Sequence, residues 1–138
     1  MTVVLVGPMG AGKSTVGALL ADAWGVSARD TDADVEALAT HEGVLSLGGG
    51  AVLDPATREL LAGQRVVFLR VGLSDAVRRV GLGTARPLLL GNVRGRIKAL
   101  LDERTPVYES VATLTVETDG RDPQEIADEI VAALGARA

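Results

Sequence analysis

The chain has 138 residues, of which 47% are apolar, so it is long enough for one domain with a single core and is not expected to be disordered. Its net charge of −4, with one Trp, one Tyr and one Phe, gives no support for a nucleic-acid or membrane-surface partner. The absence of cysteine excludes a disulfide framework, and a single histidine argues against a Ser-His-Asp triad or a multi-histidine metal site.

The first predicted element is a buried strand over residues 3–6, which leads through a glycine-rich turn into a helix over residues 16–24. The turn, residues 7–14, has the pattern G-x-x-x-x-G-K-[ST]. Backbone N–H groups of such a loop bind phosphate together with the positive end of the helix dipole. Lys13 would reach the terminal phosphates, and the Ser14 hydroxyl would hold Mg²⁺. This setting favours a nucleotide-phosphate site over an ordinary glycine-rich turn.

Two carboxylates follow the second predicted strand, residues 27–30. Asp30 and Asp32 stand at its carboxyl end, where open α/β sheets bind their ligands. Near a phosphate loop, one carboxylate can hold magnesium through water and another can orient or deprotonate an attacking hydroxyl. The alternative is a helix N-cap cluster, and Asp34 fits that alternative best.

The third predicted strand, residues 44–47, ends in Gly48, Gly49 and Gly50. Three glycines at this edge let a ligand approach backbone N–H groups, although a flexible turn is the alternative. The connection before this strand is unusual. A parallel crossover needs a dozen or more residues including its helix, and only residues 33–43 are available here. They leave room for a helix of two or three turns.

The rest of the chain alternates between helices and strands. The predicted elements are a helix over 55–62, a strand over 66–71, a helix reaching 79 or 80, a helix over 94–103, a strand over 114–117 and a helix over 123–134. Asp54 and Asp122, each before a proline, are predicted N-caps, as is Ser74 or Asp75. Gly63 is the predicted C-cap of the first of these helices, and Pro106 is expected to break the fourth. This order predicts an α/β domain with a five-stranded parallel sheet between helices.

Arginines in two places could serve phosphoryl transfer. Residues 81–87 form a predicted mobile, lid-like loop, from which Arg86 could neutralise charge on the transferred group, or could simply be solvated. Arg104 could clamp a substrate carboxylate with two hydrogen bonds, or could complement a helix C-terminus. Arg78 and Arg79 are expected on a solvated helix face.

Together these motifs resemble shikimate kinases of the bacterial type. The matching stretches occur in family order and cover nearly the whole chain: residues 7–15, 30–32, 45–50, 84–89, 104–108 and 121–123. The resemblance implies a single P-loop domain over 1–138 of the nucleoside-monophosphate-kinase-like fold, with a lid at about 81–95. It also implies transfer of the ATP γ-phosphate to the 3-hydroxyl of shikimate, on the route to aromatic amino acids.

The resemblance also implies roles for individual residues. Those implied to bind ATP are Gly10, Ala11, Gly12, Lys13, Ser14, Thr15, Arg86, Arg121 and Pro123. Shikimate would be bound by Asp32, by Gly48, Gly49 and Gly50, and by Arg104. Ser14 would bind Mg²⁺ directly and Asp30 through water. Lys13, Asp32 and Arg86 would be catalytic.

The chain departs from the family pattern near residues 36–38. Family members carry a helical shikimate-binding arm of several dozen residues here, whereas Glu36, Ala37 and Leu38 join the flanks directly. Either the arm is left out of this sequence or it is truly deleted. The presence of every other functional position favours omission. A true deletion would remove one carboxylate clamp and weaken substrate binding by a few kcal/mol.

Two other functions stay open: another small-molecule P-loop kinase, such as one acting on gluconate, and a nucleotide-binding module made inactive by loss of the arm. In each case ATP and Mg²⁺ are the expected ligands, and neither nucleic acid nor membrane is an expected partner. No apolar run has the length of a membrane span and no signal peptide precedes the first strand, so we expect a cytoplasmic location. We also expect the chain to be a monomer.

Overall fold

A computed structural model of the chain describes residues 2–8, 10–31, 42–48, 50–82 and 90–135. Its centre is a parallel sheet of five strands, β1 (Thr2–Val6), β2 (Ala28–Thr31), β3 (Gly43–Leu47), β4 (Arg65–Arg70) and β5 (Leu114–Glu117). The strands lie in the order β2-β3-β1-β4-β5. The predicted five-stranded parallel sheet is confirmed, with β1 in the middle and β3 and β4 as its neighbours.

Five described helices accompany the sheet. They are α1 (Lys13–Trp24), α2 (Pro55–Leu61), α3 (Leu73–Leu82), α4 (Leu90–Val111) and α5 (Pro123–Leu134), with a 3₁₀ turn at Ala51–Leu53 before α2. The short helix predicted between β2 and β3 lies almost entirely outside the described residues. Within the described part of the chain, no helix combines the length and hydropathy that crossing a membrane requires.

The core has two halves, one on each face of the sheet. Alternating residues of β1 and β4 point to opposite faces, because side chains along a strand alternate. One half packs α1 and α5 against the sheet through fully buried residues such as Leu20 and Ile130. The other half packs α2 and α4 through Leu61 and Tyr108. Helices therefore cover both faces, as the strand pattern predicts.

Two of the predicted helix starts are confirmed by their hydrogen bonds. The carboxylate of Asp54 accepts from the Ala56 N–H at 2.9 Å, and that of Asp122 accepts from the Gln124 N–H at 3.1 Å. In each case the next residue is a proline at the first helical position. The predicted C-cap at Gly63 is wrong by one residue, because α2 ends at Leu61 and Ala62 is its C-cap.

The start of α3 differs from its prediction. The Ala76 N–H donates to the carbonyl of Gly72, so the helix begins at Leu73, and Ser74 and Asp75 lie in its first turn instead of capping it. The Asp75 carboxylate accepts from the N–H of Gly120 instead, which ties α3 to the turn after β5. Short-range cap patterns do not contain this contact between distant parts of the chain.

Pro106 does not break its helix, contrary to prediction. It lies inside α4, which runs without interruption from Leu90 to Val111. A proline removes one helical hydrogen bond, but packing can compensate for that loss. After the proline, Val107, Tyr108 and Val111 all pack into the core half beneath α4. The helix is also longer than predicted at its start, so residues 90–95 of the predicted lid are helical, as are residues 81 and 82.

Candidate functional site

The phosphate loop connects the end of β1 to the start of α1. Gly12 is the N-cap of α1 with a φ of 90°, and no side chain caps the helix. The positive end of the α1 dipole therefore lies at this loop, where it favours a bound anion. Gly7 is required for a different reason. A Cβ added there would lie 2.7 Å from the carbonyl oxygen of Leu69 in β4, so only glycine lets the loop pass this strand.

Lys13 lies across the loop. Its ammonium group donates to the carbonyl oxygens of Gly7 at 2.6 Å and of Pro8 at 3.1 Å. The charge is thereby held against the loop backbone, and the contact of Lys13 with terminal phosphates stays a prediction. The helix start and the ammonium group make this edge of the sheet attractive to anions.

The two residues predicted to serve a metal ion are in contact. The Ser14 hydroxyl donates to a carboxylate oxygen of Asp30 at 2.8 Å. Ser14 lies in the first turn of α1 and Asp30 in β2, so the fold brings them together. A hydroxyl and a carboxylate are the hard oxygen donors that Mg²⁺ prefers, and Mg²⁺ commonly takes one or two such ligands with phosphates and waters. The donor set therefore fits this cation.

A buried serine in β3 contacts the start of α1, next to the phosphate loop. This residue was not singled out from the sequence. Ser46 in β3 is 5% exposed, and its hydroxyl donates to the carbonyl oxygen of Lys13 at 3.3 Å. A Cβ added at Gly17 of α1 would lie 3.1 Å from the same hydroxyl oxygen. This small-residue contact brings α1 close to β3. The signal in the sequence is a polar residue inside an otherwise apolar strand.

The residues predicted to bind the phosphate acceptor begin where β3 ends. Arg104, in α4, lies close to them: a Cβ added at Gly50 would be 3.9 Å from its Nη2. The Nε of Arg104 is buried and has no hydrogen-bond partner among the described residues. A buried donor without a partner is costly, and a bidentate carboxylate would satisfy it. Gly50 and Arg104 are thus brought together as a candidate carboxylate site.

Tyr108, one helical turn beyond Arg104, makes a polar contact with that guanidinium. Its side chain is fully buried, and its ring packs against Phe68 with ring centroids 5.1 Å apart. Burial raises the pKa of Tyr108 above its ordinary value of 10.0, and the charge and hydrogen bond of Arg104 partly oppose that rise. Tyr108 therefore stays neutral at physiological pH and offers Arg104 a neutral acceptor.

Arg79 was expected on a solvated face, and that expectation is wrong. Its guanidinium donates to the carbonyl oxygen of Gly10 at 2.9 Å and to that of Thr118 at 3.0 Å. It also lies 3.6 Å from the carboxylate of Asp75. The side chain thus ties α3 and the end of β5 to the phosphate loop. The contacts with Gly10 and Thr118 join residues that are distant in sequence, so helical spacing does not predict them.

Arg121, which is predicted to bind ATP, contacts residues near the C-terminus of the chain. Its guanidinium donates to the carbonyl of Glu117 at 2.9 Å and pairs with the Glu129 carboxylate at 2.8 Å. Pro123 occupies the first turn of α5. Because Arg79 joins Thr118 to Gly10, this segment begins beside the phosphate loop.

Three predicted site residues, Asp32, Gly49 and Arg86, lie outside the described residues. Their roles stay predictions.

A cavity of about 440 Å³ lies elsewhere, between the end of β4 and α4. No predicted site residue lines it. Its charged lining is already paired, Lys98 with Asp102 at 2.6 Å and Arg70 with Glu109 at 3.7 Å. We assign it no part in the chemistry.

Known proteins share both the sequence and the fold. The family model described as shikimate kinase matches residues 9–41 and 35–135. Shikimate kinase from Frankia casuarinae is 51% identical over 96% of this chain and 72% of the relative. The enzyme from Thermobifida fusca is 49% identical over 96% of this chain and 94% of the relative.

These matches also contain a discontinuity. The two segments of the family match meet at residues 35–41. The alignment with the Thermobifida fusca enzyme runs over 162 residues, whereas this chain has 138, so the relative contains residues without a counterpart here.

Solved structures agree with the sequence matches. Shikimate kinase from Acinetobacter baumannii, in complex with shikimate, has a TM-score of 0.81 and 29% identity over 96% of this chain and 92% of that one. Deoxyadenosine kinase from M. mycoides, at 16% identity and a TM-score of 0.65 over 97% of this chain and 99% of that one, shares the fold alone. The fold is that of the P-loop kinases, and on the identities above the chain belongs to the shikimate kinase family.

Proposed function

We propose that this chain transfers the γ-phosphate of ATP to the 3-hydroxyl of shikimate. The observation that carries the proposal is the arrangement of two sites at one edge of the sheet. The phosphate loop follows β1, and Gly50 with Arg104 follows the neighbouring strand β3. An anion-binding loop beside an unsatisfied arginine suits a phosphate donor and an acceptor that carries a carboxylate. The relative from Acinetobacter baumannii, solved with shikimate, supports this choice of acceptor.

On the donor side, we propose that residues 10–15 bind the ATP phosphates. The loop N–H groups and the Lys13 ammonium would exchange their present contacts for phosphate oxygens. Phosphoryl transfer depends on positioning and charge stabilisation, and the fixed N–H dipoles and the lysine provide both. Arg86, from the lid, would add a second positive charge, and Arg121 with Pro123 would border the adenine.

Ser14 and Asp30 are the residues that we propose to serve Mg²⁺. Ser14 would bind it directly and Asp30 through water, from the positions that their 2.8 Å contact defines. When bound, the cation would neutralise negative charge that develops on the phosphate groups during transfer. The contact between Ser14 and Asp30 keeps the two oxygens close together.

On the acceptor side, Arg104 would bind the shikimate carboxylate, and Gly48, Gly49 and Gly50 would present backbone N–H groups. Asp32 would hold the ring hydroxyls and orient or deprotonate the attacking one. Arg104 would thus fix one end of the ring while Asp32 fixes the reacting end.

The test is release of ADP from Mg-ATP with shikimate present and absent. Asp32→Ala should lower shikimate-dependent turnover sharply, and unchanged turnover would refute the role given to Asp32. A panel that includes gluconate separates this function from that of another small-molecule kinase. The oligomeric state and location, a cytoplasmic monomer, stay predictions.

A second candidate is a nucleotide-binding module without turnover. It is favoured by the discontinuity of the family match at residues 35–41 and by the surplus of residues in the relatives. Such a chain would bind ATP in calorimetry and release no ADP with any acceptor.

A chimera decides between the two candidates. The corresponding segment of the Thermobifida fusca enzyme is inserted in place of Ala37. If the missing residues hold substrate, the chimera should bind shikimate at least tenfold more tightly, since one further charged contact contributes a few kcal/mol. Equal affinity would mean that the shorter chain has a complete substrate site. Intact mass of the natural protein against 14.2 kDa shows whether the segment is truly deleted.

A further inference from the structure

We propose that Tyr108 is a positioning residue that holds the Arg104 guanidinium against Gly50 for an incoming carboxylate. The inference rests on the proposed function, because it concerns how the same site recognises the acid group of its substrate. Tyr108 itself would not touch the substrate.

The phenol of Tyr108 lies in apolar surroundings. Tyr108 is fully buried in the apolar cluster that contains Val6, Leu47 and Phe68. A buried hydroxyl in such a cluster needs polar partners, and the Arg104 guanidinium is one of them. Phenylalanine would fill the same space without this need. The oxygen is therefore explained by polar contacts, that with Arg104 among them, and not by packing.

Tyr108 restricts the motion of the Arg104 side chain. An arginine side chain loses considerable rotamer entropy when a ligand fixes it. Residues four apart on a helix are neighbours, so Tyr108 can hold the guanidinium before substrate arrives. A receptor group that is already ordered binds more tightly because less freedom is lost on binding.

Tyr108 contacts Arg104 through a neutral group. A carboxylate in place of Tyr108 would fix Arg104 equally well but would neutralise it. A phenol kept neutral by burial fixes the guanidinium and leaves its positive charge for a ligand. The buried Nε of Arg104 has no hydrogen-bond partner among the described residues, so this N–H, at one edge of the guanidinium, can still donate to a ligand. A carboxylate could take that edge in a bidentate arrangement.

The decisive variant is Tyr108→Phe, which removes one oxygen atom. We expect its dissociation constant for shikimate to rise about tenfold, because a hydrogen bond to a charged group is lost. The KM for ATP and kcat at saturating shikimate should stay within about twofold, because the phosphate loop is untouched. In an Arg104→Ala background, Tyr108→Phe should cause no further loss of affinity.

Phe68→Leu is the matched control, because it disturbs the same cluster and leaves the phenol oxygen in place. It should lower Tm and leave shikimate affinity within about twofold. Equal shikimate affinity of Tyr108→Phe and the parent chain would overturn the inference. So would an equal loss of affinity in Phe68→Leu, since the phenol oxygen would then be irrelevant.

A parent chain that binds no shikimate would contradict the proposed function instead. The pairing then remains testable, because Tyr108 is the sole tyrosine of the chain. Its ionisation is followed by absorbance at alkaline pH in the parent and in Arg104→Ala. Loss of the arginine should move the titration midpoint upward. An unchanged midpoint would overturn the inference, whether or not Tyr108→Phe folds.

Discussion

The hydroxyl of Ser14 donates a 2.8 Å hydrogen bond to the carboxylate of Asp30, joining the first turn of α1 to β2. The bond connects the phosphate loop to the strand that precedes the predicted catalytic Asp32. It places two hard oxygen ligands next to the end of the loop, where the phosphates of a nucleotide would lie.

Removing either partner should weaken the use of Mg-ATP. For Ser14→Ala and for Asp30→Asn we expect the Mg²⁺ concentration at half-maximal turnover to rise about 10- to 100-fold, as for other residues that orient a metal site. Asp30→Asn keeps an acceptor for the hydroxyl and tests the charge alone. Metal-free binding of ADP is the control and should change little in Asp30→Asn. Unaltered Mg²⁺ dependence in both variants would contradict the metal role.

A methyl group at Gly50 should obstruct the acid end of the substrate. The backbone of Gly50 has a φ of −93°, which any residue adopts, and an added Cβ would lie 3.9 Å from Arg104 Nη2. Gly50→Ala should therefore fold normally and bind shikimate about tenfold more weakly, because one methyl group now occupies ligand space. Calorimetric titration measures this.

Gly95→Ala in the exposed part of α4 is the matched control. An added Cβ there meets nothing within 4 Å, so the change should stabilise the helix slightly and leave binding alone. Equal shikimate affinity of the Gly50 variant and this control would remove Gly50 from the site.

Packing in the core half between the sheet and α1 should contribute strongly to stability. Leu20 is fully buried there, so Leu20→Ala should lower the free energy of unfolding by about 2–5 kcal/mol. Leu60 is 39% exposed, and Leu60→Ala should stay within about 0.5 kcal/mol of the parent. Urea unfolding measures both. Comparable losses in the two variants would mean that Leu20 is not packed as described.

Stability should depend on Tyr108 at alkaline pH. Burial raises its pKa above 10.0 in the folded chain, so the neutral phenol contributes stability that is fully present below pH 10.0. This contribution is lost as the pH rises from there through the folded-state pKa. Tyr108→Phe should lose less stability over that interval than the parent does. Parallel curves for the two proteins would refute the raised pKa.

Local and periodic signals in the sequence were enough to predict the sheet and most helices. The strand of residues 114–117 and the helix of residues 123–134 have the predicted bounds, because apolar runs and a Pro-preceded cap act locally. The prediction that Pro106 breaks its helix was wrong because it also used only a local signal. Its local preference was overridden by the burial of Tyr108 and the packing of the partly buried Val111, which depend on the whole fold.

In the candidate site too, residues of contiguous motifs could be predicted, whereas contacts between distant residues could not. The phosphate loop is contiguous, so its pattern identified Lys13 and Ser14 before any geometry was known. Arg79 was missed because its partners, Gly10 and Thr118, are distant in sequence and accept through backbone carbonyls that no residue type reveals. The place of Arg104 beside Gly50 followed from family resemblance; the role of Tyr108 needed the fold.

The most direct test of the account is the rate of ADP release from Mg-ATP by this chain as shikimate is added, with Lys13→Met as the inactive control. The proposed function predicts release that rises with shikimate and saturates, and that falls on the order of 10²-fold or more in the control because a charge that stabilises the transition state is lost. Tight ATP binding together with an ADP release that shikimate does not change would contradict it.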